Sequence, residues 1–236
     1  MSDQPFSATE PDLPWKSERL LTIDEIHQQV EILLMDVHEG EQLSARDCAL
    51  INLAVHVSPA TLDIPASNHY AGMALAEGAT AEQIHEVLLL VSGLGVHTLL
   101  VGSPCIGSLL RQEDDPQMTA PLDNERLDLL AKYVGDDPYW DAMESELPGF
   151  IDSLLRLSPI GFKAFFDYCA VPWKSGALRA VTKELISLAV DATPSHRFLP
   201  GLRLHVRNAV KLGASRTVVL QTLRIAAQST LHRGVR

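Results

Sequence analysis

Apolar residues recur at helical spacing along most of the chain. Leu50, Ile51, Ala54 and Val55 form one stripe, and Leu185, Ile186, Ala189 and Val190 form another. Each stripe runs into a loop bracketed by two prolines, Pro59 and Pro65 in the first case, Pro194 and Pro200 in the second. A second helix follows and is expected to stop at Gly78 or Gly213, the residue type that ends helices in a left-handed conformation. A third begins at once: Thr80 with Gln83 reads as a capping box, and Ser215 as an N-cap. Its apolar positions are Ile84, Val87, Leu88 and Val91, or Val218, Val219, Leu223 and Ala226. Period-two alternation bounded by turn signals is almost absent, so the predicted fold is all-α.

The two patterns are in register. A shift of 135 positions lays LSARDCALINLAVHVSPATLDIP, from Leu43, on LRAVTKELISLAVDATPSHRFLP, from Leu178, without a gap. It pairs Ala74 with Ala209, Gly78 with Gly213 and His97 with His232. Identity is roughly one position in four, concentrated on turn and core positions, where a repeated fold keeps its residues. We therefore expect a flexible tail over residues 1–18, a first repeat over 19–110, an acidic linker over 111–124 and a second repeat over 125–236. The helical pattern at 21–37 is expected to pack the first unit, and those at 125–134 and 143–157 the second. Each unit leaves an apolar face that it cannot cover alone, which predicts docking about a pseudo-twofold axis.

Composition narrows the possible partners. The 236 residues are 46% apolar, enough for a sizeable core, and the formal net charge is −11. That balance argues against nucleic acid or an anionic membrane as partner, since both need a basic footprint. Cys48, Cys105 and Cys169 are widely separated and show no C-x-x-C pairing, so neither disulfides nor a thiolate zinc site is expected, and a cytoplasmic location fits. The N-terminus is polar and acidic, without the apolar core of a secretory signal. The longest apolar run, Val87 to Gly102, is broken by Gly93, Gly95 and His97 and reads as a buried helix shorter than a membrane span.

Candidate chemistry gathers in DATPSHRFLPGLRLH, Asp191 to His205. His205 starts a helix and has a side chain suited to proton transfer near neutral pH. Asp191 could orient an imidazole, His196 lies in the loop, and Glu184 could reach His205 as a second acid or base. Arg197 and Arg203 are candidate clamps for a carboxylate, with Arg207 completing a basic cluster. An aspartate and two histidines can also form a metal face, but D-x4-H-x8-H matches no compact metal motif, so no metal and no cofactor are expected. His97 and His232 read as packed or capping histidines near helix ends.

The segment KELISLAVDATPSHRFLPGLRLHVRNAVKLGAS resembles the carboxymuconolactone decarboxylase family: a helix ending in L-A-V, a loop, then H-x-x-x-A-x-x-x-G-A-[ST], met by His205, Ala209, Gly213, Ala214 and Ser215. Glu184 falls in the family's K-E-L opening. The resemblance implies two alkylhydroperoxidase D-like helical repeats and a pocket faced by His205. It also implies decarboxylation of a small carboxylated or lactone intermediate, as in aromatic breakdown, or a related isomerisation or hydration, and a homotrimer. The Cys-x-x-Cys of the alkylhydroperoxidase D branch is missing: its positions are Phe198 and Gly201, or Asp63 and Ala66 in the first repeat. Peroxidase chemistry would then need Cys48, Cys105 or Cys169 to reach the pocket. Tyr70 stands opposite His205, and Ala49 opposite Glu184, so the first repeat reads as degenerate, with a site around His56 and His69 left open. The alternative is a non-catalytic ligand-binding or assembly protein on the same fold.

Overall fold

A computed structural model describes residues 21–233; the expected tail of residues 1–18 lies outside them. Helices follow one another throughout: α1 (Ile23–Leu33), α2 (Ala45–Val57), α3 (Ile64–Ala76), α4 (Ala81–Ser92), α5 (His97–Gln112), α6 (Pro116–Thr119), α7 (Asn124–Tyr133), α8 (Pro138–Glu146), α9 (Phe150–Leu157), α10 (Pro159–Cys169), α11 (Val171–Lys174), α12 (Ala180–Asp191), α13 (Leu199–Lys211) and α14 (Arg216–Ala227). No strand occurs among the described residues. The fold is all-α.

The helix ends follow the sequence signals. The Thr80 hydroxyl accepts from the Gln83 amide while the Gln83 side chain accepts from the Thr80 amide, and Ser215 accepts from Val218 N. Gly78 and Gly213 take φ of 83° and 94°, conformations that would strain a residue bearing a Cβ. The trio α2–α4 and the trio α12–α14 begin at a constant offset of 135 residues, at Ala45 and Ala180, Ile64 and Leu199, Ala81 and Arg216. Their first loops share a backbone as well. Leu62 and Arg197 both have positive φ, and the amides of Asp63 and Phe198 bond back to the carbonyls of His56 and Asp191, each at 2.9 Å.

One core joins the two trios, with Leu50, Ile51 and Ala54 of α2 against Leu185, Ile186 and Ala189 of α12, closed by Val87, Val91, Val219 and Leu223. A second core is aromatic, through Phe150, Phe162, Phe165 and Phe166, with Leu100 of α5 and Leu204 of α13. The flanking helices depart from expectation. α1 packs on α13, hence on the second trio rather than the first, and α5 lies along α9. The acidic linker is not extended: Asp115 caps the short α6, which packs on α9.

The apolar run is also longer than its glycines imply. A 3₁₀ turn at Gly93–Val96 carries α4 into α5 without a break, giving a 32-residue helical run, Ala81–Gln112, long and apolar enough by length and composition to cross a membrane. It is not a buried helix: Leu88, Leu99, Ile106 and Leu109 are exposed on it.

A buried ion pair fastens α4 to α12. Lys183 Nζ lies 2.5 Å from Glu86 Oε1, with both residues nearly inaccessible at 3% and 2% exposure. Lys183 also donates to the carbonyls of Pro172 and Ser175, and Glu86 Oε2 accepts from Ser175 Oγ and Leu178 N. The segment leading from α11 into α12 is thereby pinned against α4.

Candidate active site

His205, one and a half turns into α13, donates or accepts through Nδ1 at 2.6 Å from Glu184 Oε2 on the facing α12. The other Glu184 oxygen accepts from Asn208 Nδ2 at 3.2 Å, one turn further along α13. With Nδ1 engaged, the Nε2 edge of the ring is turned toward Asp191, whose Oδ2 is 4.0 Å away. Burial alone would lower the His205 pKa, but the hydrogen bond and charge of Glu184, with the charge of Asp191, outweigh it, and the net shift is upward. Asp191 is pushed up to about 7 by burial, partly offset by His205. Its Oδ2 is buried without a hydrogen-bond partner.

The expected quartet of Glu184, Asp191, His196 and His205 is thus brought together. His196 Nε2 stands 3.7 Å from Asp191 Oδ1. His97, read from the sequence as a packed helix-end residue, joins them instead: its Nδ1 is 2.8 Å from His196 Nε2 and 3.9 Å from Asp191 Oδ1. Burial, with the neighbouring His196 and His205, pushes the His97 pKa down to about 3, and burial lowers that of His196 too. Both shifts favour the neutral form of the rings. Its register partner His232 is exposed beyond α14.

The two arginine assignments do not hold. Arg197 donates to the carbonyls of Pro194 and Leu21, tying its loop to the entry of α1. Arg203 reaches Gln29 and Glu146, and Arg207 shares Glu146, so both bind α13 to its neighbours α1 and α8. Helical phase explains this: residues two positions either side of His205 point roughly 160° away from it. No arginine lines the cavity.

That cavity, about 130 Å³, is walled by Leu90, Leu94 and Leu100 from the Ala81–Gln112 run, by Tyr139, Trp140, Phe165, Tyr168 and Trp173, and by His97, Asp191 and His205. A second hollow of about 550 Å³ shares Tyr139, Trp140, Cys169 and Trp173 with it and reaches Glu184. The aromatic wall comes from α8, α10 and α11, outside the repeated trios, where apolar spacing reads as ordinary core. Asn208 was equally hidden, since a polar residue two and a half turns into a helix carries no signal of its own. Cys169 does reach the cavity, but burial pushes its thiol up to about 11 and no second thiol pairs with it. A protonated, isolated thiol is a poor nucleophile toward peroxide.

Two positions set by the missing Cys-x-x-Cys shape this site. Phe198 occupies the N-cap of α13 without capping it, whereas Asp63 caps α3; the Phe198 ring stacks on His97 with centroids 4.0 Å apart. A Cβ at Gly201 would lie 2.2 Å from Asp191 Oδ2 and 2.9 Å from the Phe198 ring. Gly201→Ala is therefore expected to destabilise the chain by about 1–3 kcal/mol through overpacking and to displace the Asp191 carboxylate. Thermal unfolding checks this, and an unchanged midpoint would count against the packing described.

Among the described residues, the α2–α4 trio holds no comparable set. His56 bonds the Asn52 carbonyl through Nδ1 and packs on Tyr70, and Ala49 stands where Glu184 would be.

Known proteins bear on this arrangement. The model of the carboxymuconolactone decarboxylase family matches residues 159–229, which span α10 to α14 and contain Glu184, Asp191, His196 and His205. A crystal structure of a Burkholderia xenovorans protein, provisionally named a gamma-carboxymuconolactone decarboxylase subunit, is similar at 34% identity and a TM-score of 0.66, over 78% of this chain and 71% of that one. No curated protein matches. At that identity and coverage, with the same helical fold, the chain belongs to the carboxymuconolactone decarboxylase family.

Proposed function

We propose that the cavity binds a small carboxylated lactone or related unsaturated acid and that His205 protonates the carbon left when CO2 departs. The observation that carries this reading is the His205–Glu184 pair: the carboxylate holds Nδ1 and raises the ring's pKa, leaving Nε2 on the cavity side with a proton to give.

In the reaction, the bond between the substrate carbon and its carboxylate breaks, and its electron pair passes into the conjugated system as a dienolate. CO2 leaves. The proton on Nε2 goes to carbon, and the imidazole is recharged from solvent. Apolar walls such as Leu94, Leu100 and Trp173 disfavour a localised carboxylate relative to neutral CO2 and a delocalised anion. The upward shift of the His205 pKa favours a protonated ring at the cavity, in place of the arginines expected of the sequence. The name given to the Burkholderia protein supports a lactone bearing a carboxylate as the substrate class.

The exposed Leu88, Leu99, Ile106 and Leu109 suit burial against further copies of this chain. This agrees with the trimer that the resemblance implies and with a cytoplasmic protein.

The test is CO2 release from γ-carboxymuconolactone and a panel of carboxylated lactones, run in D2O so that one deuterium marks the protonated carbon. Turnover is expected to persist in Cys169→Ala, because no thiol takes part. If no carboxylated lactone is turned over or raises the melting temperature, the reading fails.

A further inference from the structure

We propose that His97, Asp191 and His196 form a binding site for a divalent transition-metal ion, with zinc(II) as the reference occupant. The three residues come from the start of α5, the end of α12 and the loop after it, so no linear motif announces them. Their facing atoms, His97 Nδ1, His196 Nε2 and Asp191 Oδ1, are separated by 2.8, 3.7 and 3.9 Å. The point equidistant from the corners of such a triangle lies about 2.05 Å from each, which is the bond length of zinc to imidazole nitrogen and carboxylate oxygen.

The surroundings favour an ion over a purely structural cluster. Asp191 is 2% exposed, and its Oδ1 faces the two imidazole nitrogens at 3.7 and 3.9 Å, too far for a hydrogen bond to either. A buried carboxylate left in that state is costly, and a cation beside it offsets the cost. The imidazoles are held ready: His97 stacks on Phe198 and on His196, with centroids 4.0 and 5.0 Å apart. A direct hydrogen bond between the two rings accounts for their 2.8 Å approach, yet it leaves Asp191 Oδ1 beyond hydrogen-bond distance of both, a gap that a shared cation would close.

Two imidazoles and one carboxylate are a donor set for zinc, cobalt, nickel or iron(II) rather than for calcium or magnesium. Because His97 and Asp191 line the 130 Å³ cavity, the remaining coordination positions would open toward it, where water or a ligand oxygen can bind. The inference goes beyond the proton-transfer reading and does not require it, since neither His205 nor Glu184 is a ligand.

The full chain, stripped with a chelator and dialysed, is titrated with ZnCl2 by calorimetry and with CoCl2 by visible absorption. Wild type is compared with His196→Ala and His97→Ala, and circular dichroism reports whether each variant is folded. One zinc per chain is expected, with cobalt bands typical of nitrogen and oxygen ligands. Loss of a ligand is expected to weaken binding at least about 100-fold, the upper end of what even outer partners of a metal site contribute. His196 sits partly exposed in a loop, so His196→Ala decides the matter if His97→Ala does not fold. Wild type without stoichiometric zinc, or a folded His196→Ala that binds as tightly as wild type, overturns the proposal. Zinc bound by a chain that decarboxylates nothing would leave this site standing and refute only the proposed reaction.

Discussion

Lys183→Met is expected to destabilise the folded chain by about 3–5 kcal/mol, the cost of leaving a buried carboxylate without its partner. For a chain of this size that is a fall in melting temperature of roughly 10 °C. The reason lies in how little else can compensate Glu86. Its Oε2 is satisfied by Ser175 Oγ and Leu178 N, but Oε1 faces only the Lys183 ammonium, and water has almost no access. Removing both charges, as in Lys183→Met with Glu86→Leu, is expected to recover much of the loss, because no unpaired ion remains. Burial acts to raise the Glu86 pKa, yet the bonds from Lys183, Ser175 and Leu178 outweigh it and the net shift is downward from 4.5. The corresponding stabilisation is complete above that ordinary value and disappears as pH falls through the lower folded-state value. Acid unfolding of the double variant should lack this component. A single variant as stable as wild type at pH 7 would show that the pair is not needed to hold the segment between α11 and α12.

His205→Gln is expected to lower kcat for decarboxylation by about 100- to 10,000-fold, the range contributed by a positioned acid or base. Glutamine can keep a hydrogen bond to Glu184 and fill much the same volume, but it carries no proton that titrates near neutrality. The fold should therefore survive while the protonation step fails. Stopped-flow detection of CO2, with circular dichroism as the control for folding, separates the two. If kcat is unchanged in the variant, another group protonates the product, and Asp191, 4.0 Å from the same nitrogen, is the one in place to do so.

Much of the architecture was legible because it rests on local rules. The capping box at Thr80, the glycines at 78 and 213 and the 135-residue register are backbone chemistry written into single positions. Glu184, Asp191, His196 and His205 were legible because they share one helix–loop–helix segment. What stayed hidden is set by packing between distant segments. His97 sits 94 residues before Asp191, and nothing local separates a histidine that packs from one that faces two others. Arg203 stood beside His205 in sequence, yet helical rotation sends it to Gln29 and Glu146. The helix at the start of the described chain could be recognised by its period, but its preference for α13 depends on partners such as Gln29 and Arg203, 174 residues apart.

The glycine at 201 implies a rule for the wider family. The volume that a side chain there would fill is taken by the Asp191 carboxylate. Position 201 is also where the second cysteine of a Cys-x-x-Cys would stand. A thiol at 201 and an acid at 191 thus compete for one space, and a chain with this loop geometry can hold both only by displacing the carboxylate. Aligned relatives are expected to carry the two together rarely, with glycine favoured at 201 where the acid is present.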